Sequence, residues 1–135
     1  MNNKYYKYFN PNPKGLETGD CVVRALCAIT GKSWYEIFDI IVKHARDNCV
    51  MPNENQKTIE YRMQLFGLKR YTIPKPKKGN KCYTVEQFCK EHTKGKYILK
   101  IAHHEMAVID GQYYDIYPGW ERSRVYSYYE LIPAL

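Results

Sequence analysis

The strongest constraint on the fold is the change of hydrophobic period at Tyr97. Runs of apolar and aromatic residues at Tyr97–Ala102, Glu105–Ile109 and Gln112–Tyr117 fit extended strands, and the last two flank Asp110-Gly111. An Asp-Gly pair between two such runs is a strong hairpin signal, because both central residues of the favoured turn need a positive φ. Upstream the apolar residues recur at helical spacing instead. Helices followed by an antiparallel sheet predict an α+β fold. At 135 residues the chain has enough surface to cover one core and not two. The expectation is a single domain over 1–135, with a loop lead-in at 1–15, a mainly helical stretch at 16–95 and a mainly antiparallel sheet at 96–135.

The helical stretch carries its own punctuation. Asn10-Pro11-Asn12-Pro13-Lys14-Gly15 reads as a loop. Asp20 then offers a cap for a helix starting at Cys21, whose Val22, Ala25, Leu26 and Ile29 share a face until Gly31 stops it. Ser33 and Glu36 form a capping box ahead of Trp34, Ile37, Phe38, Ile41 and Val42, a second helix running towards Asn48. Ile59, Met63 and Phe66 predict a third helix ended by Gly67, and Thr84 with Gln87 opens a short fourth at Val85. Tyr71–Ile73 fits a short strand, while Val125–Ile132 suits a strand or a helix equally.

Composition narrows the function classes. The chain is 44% hydrophobic and 26% charged, as an ordinary globular domain is, and no apolar run approaches the length of a membrane span. The first ten residues lack the apolar stretch of a secretory signal, so a cytoplasmic setting is expected. Five cysteines, an odd number, suit reduced thiols better than a disulfide framework. They are scattered along the chain without a C-x-x-C pair, which gives a structural zinc site little support. A net charge of +7 and fourteen tyrosines raise nucleic-acid binding as a rival role. Against it, the lysines are spread along the chain, and the densest group, Lys75, Lys77 and Lys78, alternates with Pro74, Pro76 and Gly79 as in a solvated loop.

One cysteine stands apart. A thiol attacks only as thiolate, and the positive end of a helix with a nearby imidazole lowers its pKa. Cys21 opens a predicted helix behind Gly19-Asp20, and its own amide can donate to an oxyanion. The plain alternative is a small buried residue, the reading we adopt for Cys27, Cys49, Cys82 and Cys89. The hairpin supplies the base by register. With Asp110-Gly111 as the turn, Ile109 pairs with Gln112, Met106 with Asp115 and His104 with Tyr117. His104 and Asp115 then lie diagonally on one face, while His103 points the other way with Ile116 and Pro118. A carboxylate beside a histidine can hold its tautomer while the other ring nitrogen takes the thiol proton. The competing reading makes His103 and His104 polar residues at a strand edge. His44 and His92 fall in polar helical contexts and are expected to face solvent.

Gly19-Asp20-Cys21-Val22-Val23-Arg24-Ala25-Leu26, Thr30-Gly31-Lys32-Ser33-Trp34 and the stretch from His104-Glu105-Met106-Ala107-Val108-Ile109-Asp110-Gly111 to Tyr113-Tyr114-Asp115 together resemble small papain-like cysteine peptidase-type proteins of bacteria and phages. The resemblance spans about residues 10–117 and implies a papain-like fold, with the nucleophile helix packed on the sheet, and a cytoplasmic site in a bacterium or a phage-infected cell. It implies Cys21 as nucleophile, His104 as general base and Asp115 as orienting residue. Papain-like enzymes usually place a glutamine about six residues before the cysteine as oxyanion donor, and Gly15 stands there. Asn12 is the expected substitute, ahead of Asn10 and Thr18, beside the Cys21 amide. The function expected is a peptidase, isopeptidase or amidase acting on a peptide or protein through an acyl-enzyme, without a cofactor. The rivals are a papain-like binding module that engages a host factor without turnover, and a basic nucleic-acid binder.

Overall fold

Two turns with left-handed backbone set the centre of the sheet. In a computed structural model, which describes residues 3–52 and 64–133, Asp110 (φ 49°) and Gly111 (φ 81°) join β4 (His104–Ile109) to β5 (Gln112–Asp115). A Cβ at Gly111 would lie 3.1 Å from the Cys89 carbonyl oxygen, so the turn needs glycine for space as well as for φ. His103 (φ 55°) sits in the tight connection from β3 (Lys96–Ile101) to β4. The β4–β5 register is the expected one, with Ile109 opposite Gln112, Val108 opposite Tyr113 and Ala107 opposite Tyr114.

The sheet has six strands, completed by β1 (Tyr6–Tyr8), β2 (Leu68–Thr72) and β6 (Ser127–Leu131), in the order β1-β5-β4-β3-β6-β2. Two expectations are corrected. The lead-in is not all loop: Tyr6–Tyr8 pairs with β5, and in parallel, so the sheet is mixed rather than antiparallel throughout. The short strand expected at Tyr71–Ile73 starts earlier, as edge strand β2 over Leu68–Thr72. Val125–Ile132, open between strand and helix, forms β6, whose alternating buried Ser127 and Tyr129 fit the pleat.

The helices begin and end where the punctuation puts them. Helix α1 (Cys21–Thr30) stops at Gly31, whose φ of 75° lets its N–H reach the Cys27 carbonyl at 2.9 Å. Helix α2 (Trp34–Asp47) starts with the Ser33/Glu36 capping box and α3 (Val85–Glu91) with the Thr84/Gln87 box. The predicted helix at Ile59–Phe66 lies mostly outside the described residues; 64–66 are helical and Gly67 (φ 67°) follows. On α2 the buried stripe is Ile37, Ile41 and Ala45, narrower than expected, with Phe38 and Val42 exposed.

The pleat divides the core. Ile98, Ala107 and Tyr129 face α1 and α2, packing on Ala25, Leu26, Ile29, Ile37 and Ile41. Tyr97, Leu99, Met106, Val108 and Tyr113 face α3, packing on Val85 and Phe88. Helix α1 therefore lies across the middle of the sheet with its N-terminus at the end where β4 begins and β5 finishes. Among the described residues no helix is long and apolar enough to cross a membrane. Because both helix starts rest on reciprocal caps, Ser33→Ala should lower the unfolding free energy by about 1 kcal/mol, seen as a lower denaturant midpoint at unchanged slope.

Candidate active site

Cys21 is the first residue of α1 and half-buried. Its thiol is hydrogen-bonded by His104 and by the backbone of Glu105, both on β4. Burial pushes the thiol pKa up, but these bonds and the His104 charge outweigh it, and the net shift is downward. A helix N-terminus alone contributes about 0.3–1 kcal/mol to an adjacent anion, less than one pKa unit. The imidazole is therefore the larger influence. Cys27 and Cys89 show the contrast: buried without such a partner, their thiols are pushed up to about 11 and 12.

His104 is held from behind. Its Nε2 lies 2.7 Å from Oδ2 of Asp115, so the ring's other nitrogen is the one left for the thiol. Burial disfavours charge on the ring, yet the hydrogen bonds and charges of Asp115 and Cys21 win and raise its pKa to about 9. Asp115 is fully buried at the end of β5 and moves the other way: burial opposes its charge, while His104, the Ile116 N–H and Arg24 hold it below the usual carboxylate range. The three expected residues Cys21, His104 and Asp115 thus sit together. The diagonal placement of His104 and Asp115 in the hairpin brings their side chains into contact.

Three further groups complete the arrangement. Trp120 donates from Nε1 to Oδ2 of Asp115 at 2.7 Å and stacks on His104, ring centroids 4.8 Å apart at 22°. Tyr113, fully buried, anchors the Trp120 loop by accepting from the N–H groups of Gly119 (3.1 Å) and Trp120 (3.4 Å) while donating to Glu121 at 2.5 Å. Arg24, 3% exposed, spans two carboxylates: Nη2 to Oδ1 of Asp115 at 3.0 Å and Nη1 to Oδ1 of Asp20 at 2.7 Å. The Asp20–Arg24 spacing is visible in the sequence as an i,i+4 pair. Trp120 and Tyr113 carry no local signal, because their contacts form only when the loop after β5 folds back.

The oxyanion assignment needs correction. Asn12 does not line the cleft: its Oδ1 accepts from the N–H groups of Lys14 (2.9 Å) and Leu16 (3.4 Å), and its Nδ2 reaches Asp20 at 3.4 Å. It shapes the lead-in loop, as Asn does in Asx turns. Asn10 likewise bonds Leu16. Asp20 also departs from expectation. It occupies the N-cap of α1 but makes no side-chain cap bond, since its carboxylate is taken by Arg24 and by Nε1 of Trp34 at 2.8 Å. The first-turn N–H groups of α1, that of Cys21 included, are left without a side-chain cap.

A cleft of about 580 Å³ opens on this group, lined by Glu17, Thr18, Gly19, Cys21, His104, Tyr117 and Trp120 among others. His103, in the β3–β4 turn rather than on a strand, also borders it. His92, expected to face solvent, instead stacks on Phe88 at 3.8 Å and contacts Tyr97 and Tyr128. Among the described residues no group of three or more His, Cys, Asp or Glu is placed to hold a metal ion.

The raised His104 pKa has a stability consequence. A histidine whose folded pKa lies above its unfolded value stabilises the fold fully below about 6.5, and this is lost as pH rises through about 9. The stability gap between the wild type and His104→Gln should shrink by up to ~3 kcal/mol between about pH 6 and pH 10, measured by denaturant unfolding in reducing buffer. No protein-family model, no curated protein and no solved structure matches the chain.

Proposed function

We propose that this chain is a papain-like cysteine hydrolase that cleaves an amide or related acyl bond of a peptide or protein through an acyl-enzyme. The observation that carries the reading is the grouping of Cys21 at a helix N-terminus, His104 beside its thiol, and buried Asp115 at 2.7 Å behind the imidazole. The thiol pKa is shifted down and the imidazole pKa up, so each partner favours the charged form of the other. Cys21 attacks the carbonyl carbon, and the oxygen that gains charge is met by the Cys21 N–H and the uncapped first turn of α1. His104 delivers its proton to the leaving group, then accepts one from the water that attacks the acyl-enzyme, returning thiolate and imidazolium. Asp115 and Trp120 keep the ring in the tautomer and plane that both transfers need.

A second reading, a binding module of the same fold without turnover, is favoured by one observation. Asn12 is engaged in its own loop, so the side-chain donor expected for the oxyanion is not supplied by it. Removing one such donor from an oxyanion site costs about 3 kcal/mol, which slows chemistry without touching thiol reactivity.

Thiol alkylation tests the shared premise. Cys49 and Cys82 are accessible and are first changed to serine. In that background Cys21 should label at about pH 6.5 at least ~10-fold faster than in His104→Ala, one pKa unit being worth a factor of ten. A rate equal to that of His104→Ala, or no faster than that of buried Cys27, overturns the reading. Release of acid from an activated ester in large excess separates hydrolase from binder, since a hydrolase deacylates and turns over many times whereas the binder stops at one acyl adduct per Cys21.

A further inference from the structure

The N-cap of α1 holds an aspartate that does not cap. An Asp in that position ordinarily accepts from the N–H of the second or third helical residue, a favourable bond. Here the carboxylate is turned away: Oδ1 lies 2.7 Å from Nη1 of Arg24 and Oδ2 lies 2.8 Å from Nε1 of Trp34. The Asp20 side chain is 7% exposed, so this is a buried, fully engaged carboxylate rather than a solvated one. The same Arg24 reaches Asp115 with its other terminal nitrogen at 3.0 Å. One guanidinium therefore ties the residue before the nucleophile to the residue behind the base.

We propose that Arg24 is a positioning residue that draws the Asp20 carboxylate off the open end of α1 and at the same time fixes Asp115 behind His104. The inference rests on the reading of Cys21 and His104 given above. Were Asp20 to cap the helix in the ordinary way, its negative charge would sit on the N–H groups beside the thiolate and occupy the donors that an oxyanion needs. A planar guanidinium suits the task because its fork serves two carboxylates at once, which an ammonium does less well. Trp34, from the start of α2, adds the second tether on Asp20.

The charged groups that face Cys21 are few. On β4 they are His104 and the buried Glu105, on its own helix Arg24 with Asp20 before it, and across the cleft Glu17 and His103. Asp20 is the carboxylate that loss of Arg24 sets free to move towards the thiol.

The test reads the Cys21 thiolate by its ultraviolet absorbance against pH and by alkylation rate, with Cys49 and Cys82 replaced by serine. In Arg24→Met the thiol should titrate about one unit higher and label ~10-fold more slowly at about pH 6.5. Adding Asp20→Asn to Arg24→Met should recover part of the rate, at least about threefold over the single variant, because a neutral amide at the N-cap no longer opposes the thiolate, while the remaining deficit reports the loosened Asp115. A merely structural role for Arg24 predicts the reverse, with the double variant as slow as the single one or slower, and that result overturns the proposal. Unchanged reactivity in folded Arg24→Met overturns it too. Should Arg24→Met not fold, Trp34→Phe carries the same test, with a smaller shift of the same sign that Asp20→Asn removes; no shift counts against the proposal. Failure of the underlying reading looks different, since wild-type Cys21 would then show no enhanced reactivity at all.

Discussion

The carboxylate of Asp115 is the point on which the site depends. It is fully buried, and it is met by Arg24 from α1, His104 from β4 and Trp120 from the loop after β5. An ionised carboxylate taken out of water without partners is costly by several kcal/mol, so each of these donors is held as firmly as it holds. Removing one partner of such a buried group typically costs about 3–5 kcal/mol, because the charge stays behind. The same carboxylate thus joins helix, sheet and loop mechanically and holds His104 electrostatically against Cys21.

The sheet makes that convergence possible. The Asp110-Gly111 turn sets the β4–β5 register, and the pleat then puts His104 and Asp115 on one face at one end of the hairpin. Helix α1 lies on the other face with its buried stripe of Ala25, Leu26 and Ile29, which brings its first residue to that same end. Cys21 therefore reaches His104 around the end of the sheet. Little of this needs the outer strands, whose role is to cover the edges of β5 and β3.

Much of the fold was legible because its signals are local. Both capping boxes, the Gly31 stop and the hairpin turn are short-range patterns, and each corresponds to an element boundary or a register in the structure. What was missed depends on distant partners. Tyr6–Tyr8 becomes a strand only because β5 offers a parallel edge, and nothing within the lead-in announces it. In the site, Cys21, His104 and Asp115 could be named from helix start and register, whereas Trp120 and Tyr113 enter through a loop that folds back from beyond the hairpin. Asn12 offers an amide close to Cys21 in sequence, but Asn beside proline serves its own turn first. Asp20 read as a cap for the same reason of locality, and a buried arginine four residues on outcompetes the backbone for it.

Asp115 and Cys21 together hold His104 protonated at neutral pH. Titration of the His104 ring protons by NMR tests it directly. The midpoint is expected at about 9, falling towards the ordinary ~6.5 in Asp115→Asn. A wild-type midpoint already near ~6.5, unmoved by Asp115→Asn, would contradict it.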